Sequence, residues 1–252
     1  MRNLLESWKA VRLRLQSAEV IALFLDFDGT LAPLQARPEE VQLPPATRSV
    51  LRRLSRRERL RVWVISGRRQ ADVRERVALR GIRCLGLYGW EDGSRPKVDA
   101  ATLRMLAEAR SELAHGLDQT VDLWIEDKGA AFALHYRGAP AAAVQRARAA
   151  LEKVHDSFNR WLSVAEGDHV WEVLPCELRG KGHAVRRYWH RISHYALPVY
   201  IGDDTADEPA FAALSQGITA RVGPARQTHA NFRLRNPAEV CRALERLDQE
   251  AR

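Results

Sequence analysis

Three short polar runs in this sequence sit directly against apolar stretches, and with one isolated lysine their residue types suit the handling of a charged, oxygen-rich ligand. Asp26-Phe27-Asp28-Gly29-Thr30-Leu31 follows the continuously apolar run from Val20 to Leu25. Aspartates at i and i+2 beyond a strand end can point the same way, and two carboxylates brought together attract a hard cation. Gly202-Asp203-Asp204 follows Val199 to Ile201 in the same manner, with Asp207 and Glu208 close behind. Uncompensated, such a cluster repels itself, so a bound cation is the economical account. Helix capping by Asp204 or Thr205 is the competing account, and the two are compatible. Ser66-Gly67-Arg68 ends Val62 to Ile65, where a hydroxyl and helix N-terminal amides can hold a phosphate oxygen. Ser-Gly is also ordinary cap and turn chemistry. Lys181, framed by Gly180 and Gly182, is one of five lysines against 35 arginines, which makes it conspicuous.

The elements that must position these residues read as strand, helix, strand, helix. Leu4, Leu5, Trp8, Val11 and Leu15 predict a helix over 3–17. Val20 to Leu25, Val62 to Ile65 and Cys84 to Tyr88 predict buried strands, with helices after Pro44-Pro45 and around Val73, Val77 and Leu79. This alternation predicts an α/β, doubly wound parallel sheet, in which ligands bind beyond the carboxyl ends of the strands. The middle differs: a helix over 100–117, strands over Val121–Glu126 and Ala130–Tyr136, a helix from Val144 to Trp161, and a strand from His169 to Leu174. Parallel alternation then resumes, with strands at Val199 to Ile201 and Ile218 to Val222 and a closing helix at 237–248. The expectation is a core over 1–96 and 175–252 interrupted by an inserted α+β module over 97–174.

Composition excludes several classes. A chain of 252 residues with 46% hydrophobic and 29% charged residues can bury a real core. No apolar run approaches the roughly 18 residues of a membrane span. An early acid, Glu6, and no small-residue cleavage site argue against a secretory leader. Cys84, Cys176 and Cys241 are odd in number and widely spaced, which predicts neither a disulfide framework nor a zinc site. The +8 net charge is nearly all arginine, scattered through helices and mixed with acids, without any RNA- or DNA-binding motif. The expectation is a cytoplasmic protein with no nucleic-acid or membrane partner.

The order acid pair, serine, lysine, acid pair resembles the haloacid dehalogenase superfamily of phosphohydrolases over essentially the whole chain. More narrowly, the sequence is similar to the trehalose-6-phosphate phosphatase family. The discriminating segment is Glu126-Asp127-Lys128-Gly129 with His135-Tyr136-Arg137; Glu172 to Pro175, Lys181-Gly182 and Gly202 to Glu208 with Phe211 accompany it. Ala206, Leu174 and the turn Gly89-Trp90-Glu91-Asp92-Gly93 depart from the family pattern.

The resemblance implies a HAD-like core with an inserted cap and a Mg2+-dependent hydrolysis of trehalose 6-phosphate. It casts Asp26 as nucleophile and Asp28 as acid and base. Magnesium would be held by Asp26, the Asp28 backbone carbonyl and Asp203, with Asp204 and Asp207 in support. Ser66, Gly67 and Lys181 would hold the phosphate, and Arg68, Glu126, Lys128 and Glu172 the substrate. A structural role for His135 and Arg137 weighs as much as a ligand role. Implied partners are a small sugar phosphate and a trehalose-6-phosphate synthase. The alternatives are another sugar phosphate, such as sucrose phosphate or a glucosylglycerate type, and a catalytically silent regulatory partner of a synthase.

Overall fold

The computed structural model of the chain describes residues 1–93, 98–117, 122–192, 195–224 and 226–251. In chain order its elements are β1 (Arg2–Asn3), α1 (Trp8–Ser17), β2 (Ile21–Leu25), α2 (Pro45–Leu54), β3 (Leu60–Ile65), α3 (Gln70–Val77) and β4 (Ile82–Leu85). There follow α4 (Ala100–Gly116), β5 (Trp124–Asp127), β6 (Phe132–His135), α5 (Ala141–Phe158), β7 (Leu162–Gly167) and β8 (Val170–Pro175). The chain closes with α6 (Gly180–Trp189), β9 (Leu197–Gly202), α7 (Glu208–Ala213), β10 (Ile218–Val222), β11 (Phe232–Leu234) and α8 (Pro237–Glu250). Contacts divide it into two compact units, Met1–Arg95 with Arg179–Arg252, and Pro96–Leu178.

The first unit is built on a wholly parallel sheet of order β1-β11-β10-β9-β2-β3-β4. β2 is apolar throughout because both its faces are covered. Ile21, Leu23 and Leu25 join a core with residues of α1, α2, α3 and α8, while Ala22 and Phe24 join another with α6 and α7. From β2 the chain winds outward through β3 and β4, then returns to the other side of β2 and winds outward through β9, β10 and β11. β2 and β9 therefore flank the switch point where a parallel sheet opens a crevice beyond its carboxyl ends.

The second unit is a four-stranded antiparallel sheet, β5-β6-β8-β7. Phe132, Leu134, Trp171, Val173 and Leu162 pack on Leu106, Leu113, Leu151 and Val154 of α4 and α5. The strand period of two puts Glu126, Ala133 and Glu172, which are register partners, on the other face.

Three expectations need correcting. The strand expected over Cys84 to Tyr88 is β4, Ile82–Leu85, because Leu87 and Tyr88 take positive φ and the chain closes into a short 3-10 turn at Leu87–Gly89. The first helix begins at Trp8, because Arg2–Asn3 pairs with β11 and Asn3 donates to Glu239 while accepting from the Leu5 amide. The helix predicted to reach Trp161 stops at Phe158, and β7 follows it; β11 likewise has only three residues, too few to show a period. Val121 and the boundary at 96–97 lie outside the described residues. Among those described, no helix is long and apolar enough to cross a membrane.

Candidate active site

Asp26 is the first residue past β2, and its amide still donates to Ile201 of β9 at 2.9 Å. Its carboxylate is buried and meets Lys181, from the first turn of α6, with Nζ donating to Oδ1 at 2.6 Å. Lys181 donates equally closely, 2.6 Å, to Asp207 Oδ1. Burial works against the ammonium, but Asp207 and Asp26 overcome it and hold its pKa well above the ordinary lysine value.

Asp207 is the hub of this arrangement. Its Oδ1 also accepts from the Tyr200 hydroxyl at 2.6 Å, and its Oδ2 accepts from the amides of Asp203 and Asp204, both at 2.9 Å. Four donors fill the acceptor sites of one carboxylate. Asp207 thereby fixes Lys181 on one side and the loop carrying Asp203 on the other. Asp204 spends its own side chain on the Thr205 amide and hydroxyl, so capping and cluster formation occur together.

Asp203 accepts from Thr30 Oγ1 at 3.1 Å and lies flat against Gly29. Gly29 has φ +73°, and a Cβ there would fall 2.0 Å from Asp203 Oδ2. The glycine is needed both for its left-handed backbone and for that approach. Oxygens of Asp26, Asp203 and Asp207 lie within 4.8 Å of one another. Burial pushes Asp26 up to about 7, with Lys181 opposing and Asp207 and Asp28 adding to the rise. Asp203 is pushed well up by burial and then by Asp26 and Asp207. One lysine does not balance these acids. Since Asp207 has no acceptor site left, the oxygens of Asp26 and Asp203 are the pair that suits a hard divalent cation.

On the other side of the loop, Asp28 is held by Arg68 through three contacts of 2.7–3.1 Å. Ser66 is buried, 3.5 Å from Asp28 Oδ2, and its Oγ accepts from the Arg68 amide at 3.1 Å. Gly67 packs on Tyr88, whose ring would stand 2.9 Å from a Cβ there. The turn at Gly89–Gly93 spends its acids on neighbouring helices: Glu91 accepts from the Gln70 amide of α3 and Asp92 from the Tyr188 hydroxyl of α6.

A separate cluster lies within the second unit. Lys128 donates to Glu172 at 2.6 Å and stands 3.8 Å from Glu126, which in turn meets His135 at 2.9 Å. Lys128 and Glu172 are buried, unlike ordinary surface charges. Glu172 Oε2 is buried with no hydrogen-bond partner among the described residues, an acceptor that a polar ligand can satisfy. His135 stacks on Trp124 at 4.0 Å, and Arg137 is paired with Asp168 at 2.6 Å.

Sequence reasoning brought together Asp26, Asp28, Ser66, Gly67, Arg68, Lys181, Asp203, Asp204 and Asp207, all within the first unit. It missed Tyr200, Thr30 and Asp72. Tyr200 sits in an apolar strand and reads as core. Asp72 is four residues after Arg68 on a helix start, a spacing that signals an ion pair.

A family model described as Trehalose-phosphatase matches residues 24–238. The chain is 37% identical over 251 residues to an uncharacterized glycosyl hydrolase of Mycobacterium tuberculosis, covering 93% of this chain and 19% of that protein. It is 32% identical to a trehalose-phosphate phosphatase of the same organism, covering 92% of this chain and 62% of that one. The chain thus spans about a fifth of the first relative and less than two thirds of the second. Among solved structures, the C-terminal domain of Candida albicans trehalose-6-phosphate phosphatase superposes with a TM-score of 0.83 at 21% identity, covering 96% of each chain. A haloacid dehalogenase-like hydrolase from Bacteroides thetaiotaomicron gives 0.63 at 14% identity, covering 90% of this chain and 99% of that one. The parallel core with an inserted antiparallel unit is this HAD-like architecture.

Proposed function

The chain belongs to the trehalose-phosphatase family, and on that premise we propose that it hydrolyses trehalose 6-phosphate to trehalose and phosphate through an aspartyl-phosphate on Asp26. The supporting observation is Asp26 itself: a buried carboxylate at the switch point of a parallel sheet, bonded to a buried lysine and facing a second acid loop.

An oxygen of Asp26 attacks phosphorus and the bond from phosphorus to the sugar oxygen breaks, with Asp28 giving that oxygen its proton. Water then attacks phosphorus, its proton passes to Asp28, the bond to Asp26 breaks, and phosphate leaves. Lys181 offsets the repulsion between Asp26 and an anionic ester, and Ser66 and the amide of Gly67 hold phosphoryl oxygens. Asp26, Asp203 and the Asp28 backbone carbonyl would hold Mg2+, which when bound neutralises phosphoryl charge. Glu126, Lys128 and Glu172 would receive sugar hydroxyls, with the unpartnered Glu172 Oε2 as an acceptor. A trehalose-6-phosphate synthase is the activity that would supply such a substrate. Cytoplasmic location accords with a soluble metabolite as substrate.

The test is phosphate release across a panel of sugar phosphates with and without Mg2+. Trehalose 6-phosphate should be preferred, and Asp26→Asn should abolish turnover while the circular dichroism spectrum is retained. Wild-type rates from Asp26→Asn would remove the nucleophile assignment, and preference for another sugar phosphate would remove the substrate.

A further inference from the structure

Arg68 is the most heavily committed side chain in the site, and none of its contacts is one that the reaction above uses. Its Nε donates to both oxygens of Asp28, at 3.1 and 2.8 Å, and Nη2 donates to Asp28 Oδ1 at 2.7 Å and to the Pro38 carbonyl at 2.6 Å. Nη1 donates to Asp72 Oδ2 at 2.8 Å. Four of the five N–H groups of a guanidinium are therefore taken, and the group lies 5.9 Å from the centroid of the Phe27 ring. Asp72 is itself held, with Oδ1 accepting from Arg76 Nε at 2.7 Å, and Arg76 donates onward to the carbonyls of Glu39 and Val41. The Arg68 side chain is 10% exposed, whereas that of Asp28 is 29% exposed. Asp28 is the open end of an otherwise closed chain of contacts.

We infer that Arg68 is a positioning residue for Asp28: anchored by Asp72 and Pro38, its fork sets the orientation in which the Asp28 carboxyl faces the leaving oxygen. This rests on the reading that Asp28 transfers a proton to that oxygen. A carboxyl on a short side chain has two rotatable bonds, and among the described residues its one side-chain partner beyond Arg68 is the distant Ser66 hydroxyl at 3.5 Å. A planar, bidentate donor fixes such a group, and an ammonium does not.

The experiment compares two monoesters, trehalose 6-phosphate, whose leaving alkoxide needs a proton, and p-nitrophenyl phosphate, whose leaving phenolate does not. General acid catalysis is worth roughly 10²–10⁴ in rate, so Asp28→Asn should slow single-turnover release of the sugar on that order and release of the nitrophenolate far less, the later hydrolysis of the aspartyl-phosphate being common to both esters. Arg68→Lys should show the same asymmetry at about a tenfold or greater difference between the esters, with KM little changed. Equal losses on both esters, no loss, or a loss confined to KM would overturn the inference, because a structural or phosphate-binding role does not distinguish leaving groups. If Asp28→Asn shows no asymmetry, the proton-transfer reading fails; if it does and Arg68→Lys does not, the positioning role fails alone. Should Arg68→Lys not fold, Asp72→Asn replaces it: a weaker loss with the same asymmetry supports the role, and a symmetric effect overturns it.

Discussion

Asp207→Asn is the substitution that most directly tests the hub. It is nearly isosteric, yet it exchanges one acceptor oxygen for an NH2 that itself donates. Lys181 and Tyr200 converge on one oxygen of Asp207 and two backbone amides on the other. Whichever way the amide turns, two donors face a donor. Lys181 and Tyr200 are buried and Asp203 and Asp204 are only partly so, so the asparagine oxygen should turn toward the first pair and leave the amides to find water. Each orphaned donor costs about 1–3 kcal/mol, the partly wet amides at the low end. Removing one negative charge relieves repulsion with Asp26 and Asp203 but also takes from buried Lys181 its strongest favourable charge, so the two effects largely offset each other. A net loss of about 2–3 kcal/mol follows, or roughly a 5–10 °C fall in the melting temperature at 2–4 °C per kcal/mol for a chain this size. Tyr200→Phe removes one donor without orphaning others and should cost only about 0.5–1.5 kcal/mol. Thermal unfolding in a chelating buffer measures both. An Asp207→Asn protein as stable as wild type, or one matched by Tyr200→Phe, would refute the four-donor account.

Two further outcomes are expected. Mg2+ added to chelator-treated protein should raise the melting temperature, and Asp203→Asn should remove most of that shift; an undiminished shift would place the ion elsewhere. Asp248 of α8, which is buried, accepts from Arg53 Nε at 2.7 Å and Arg57 Nε at 2.8 Å. Burial alone would raise its pKa, but the two arginines outweigh it and hold it below the ordinary carboxylate range. Because the folded value is the depressed one, its stabilisation is complete above the ordinary aspartate pKa of about 3.9 and is lost as pH falls through the depressed value. Asp248→Asn should cost about 1–2 kcal/mol in urea unfolding at pH 7, discounted for the partly exposed arginines, and the gap should narrow below about pH 4. A gap independent of pH would contradict the pairing.

Much of the core was legible because its signals are local. β2, β3 and β9 are apolar runs broken by polar turns, and a strand buried on both faces can hardly look otherwise. β7 and β11 were not legible, since one is an edge strand of mixed burial and the other has three residues. In the site, Asp26, Lys181 and Asp203 stand out by type and place. Tyr200 does not, because a tyrosine inside an apolar strand is indistinguishable from core until the partner of its hydroxyl is known.

By itself, then, the sequence determined which residue types end each strand and in what order, and with them the class of chemistry. Tertiary structure alone decided who pairs with whom. Lys181 and Asp26 are 155 residues apart, and they meet because the return of the chain to the other side of β2 sets α6 and β9 beside its end. The same geometry gives Asp207 four donors and turns Arg68 onto Asp28. Periodicity along a strand or helix is a property of neighbours in the chain, whereas the saturation of a buried carboxylate depends on every group that the sheet order brings within hydrogen-bonding distance.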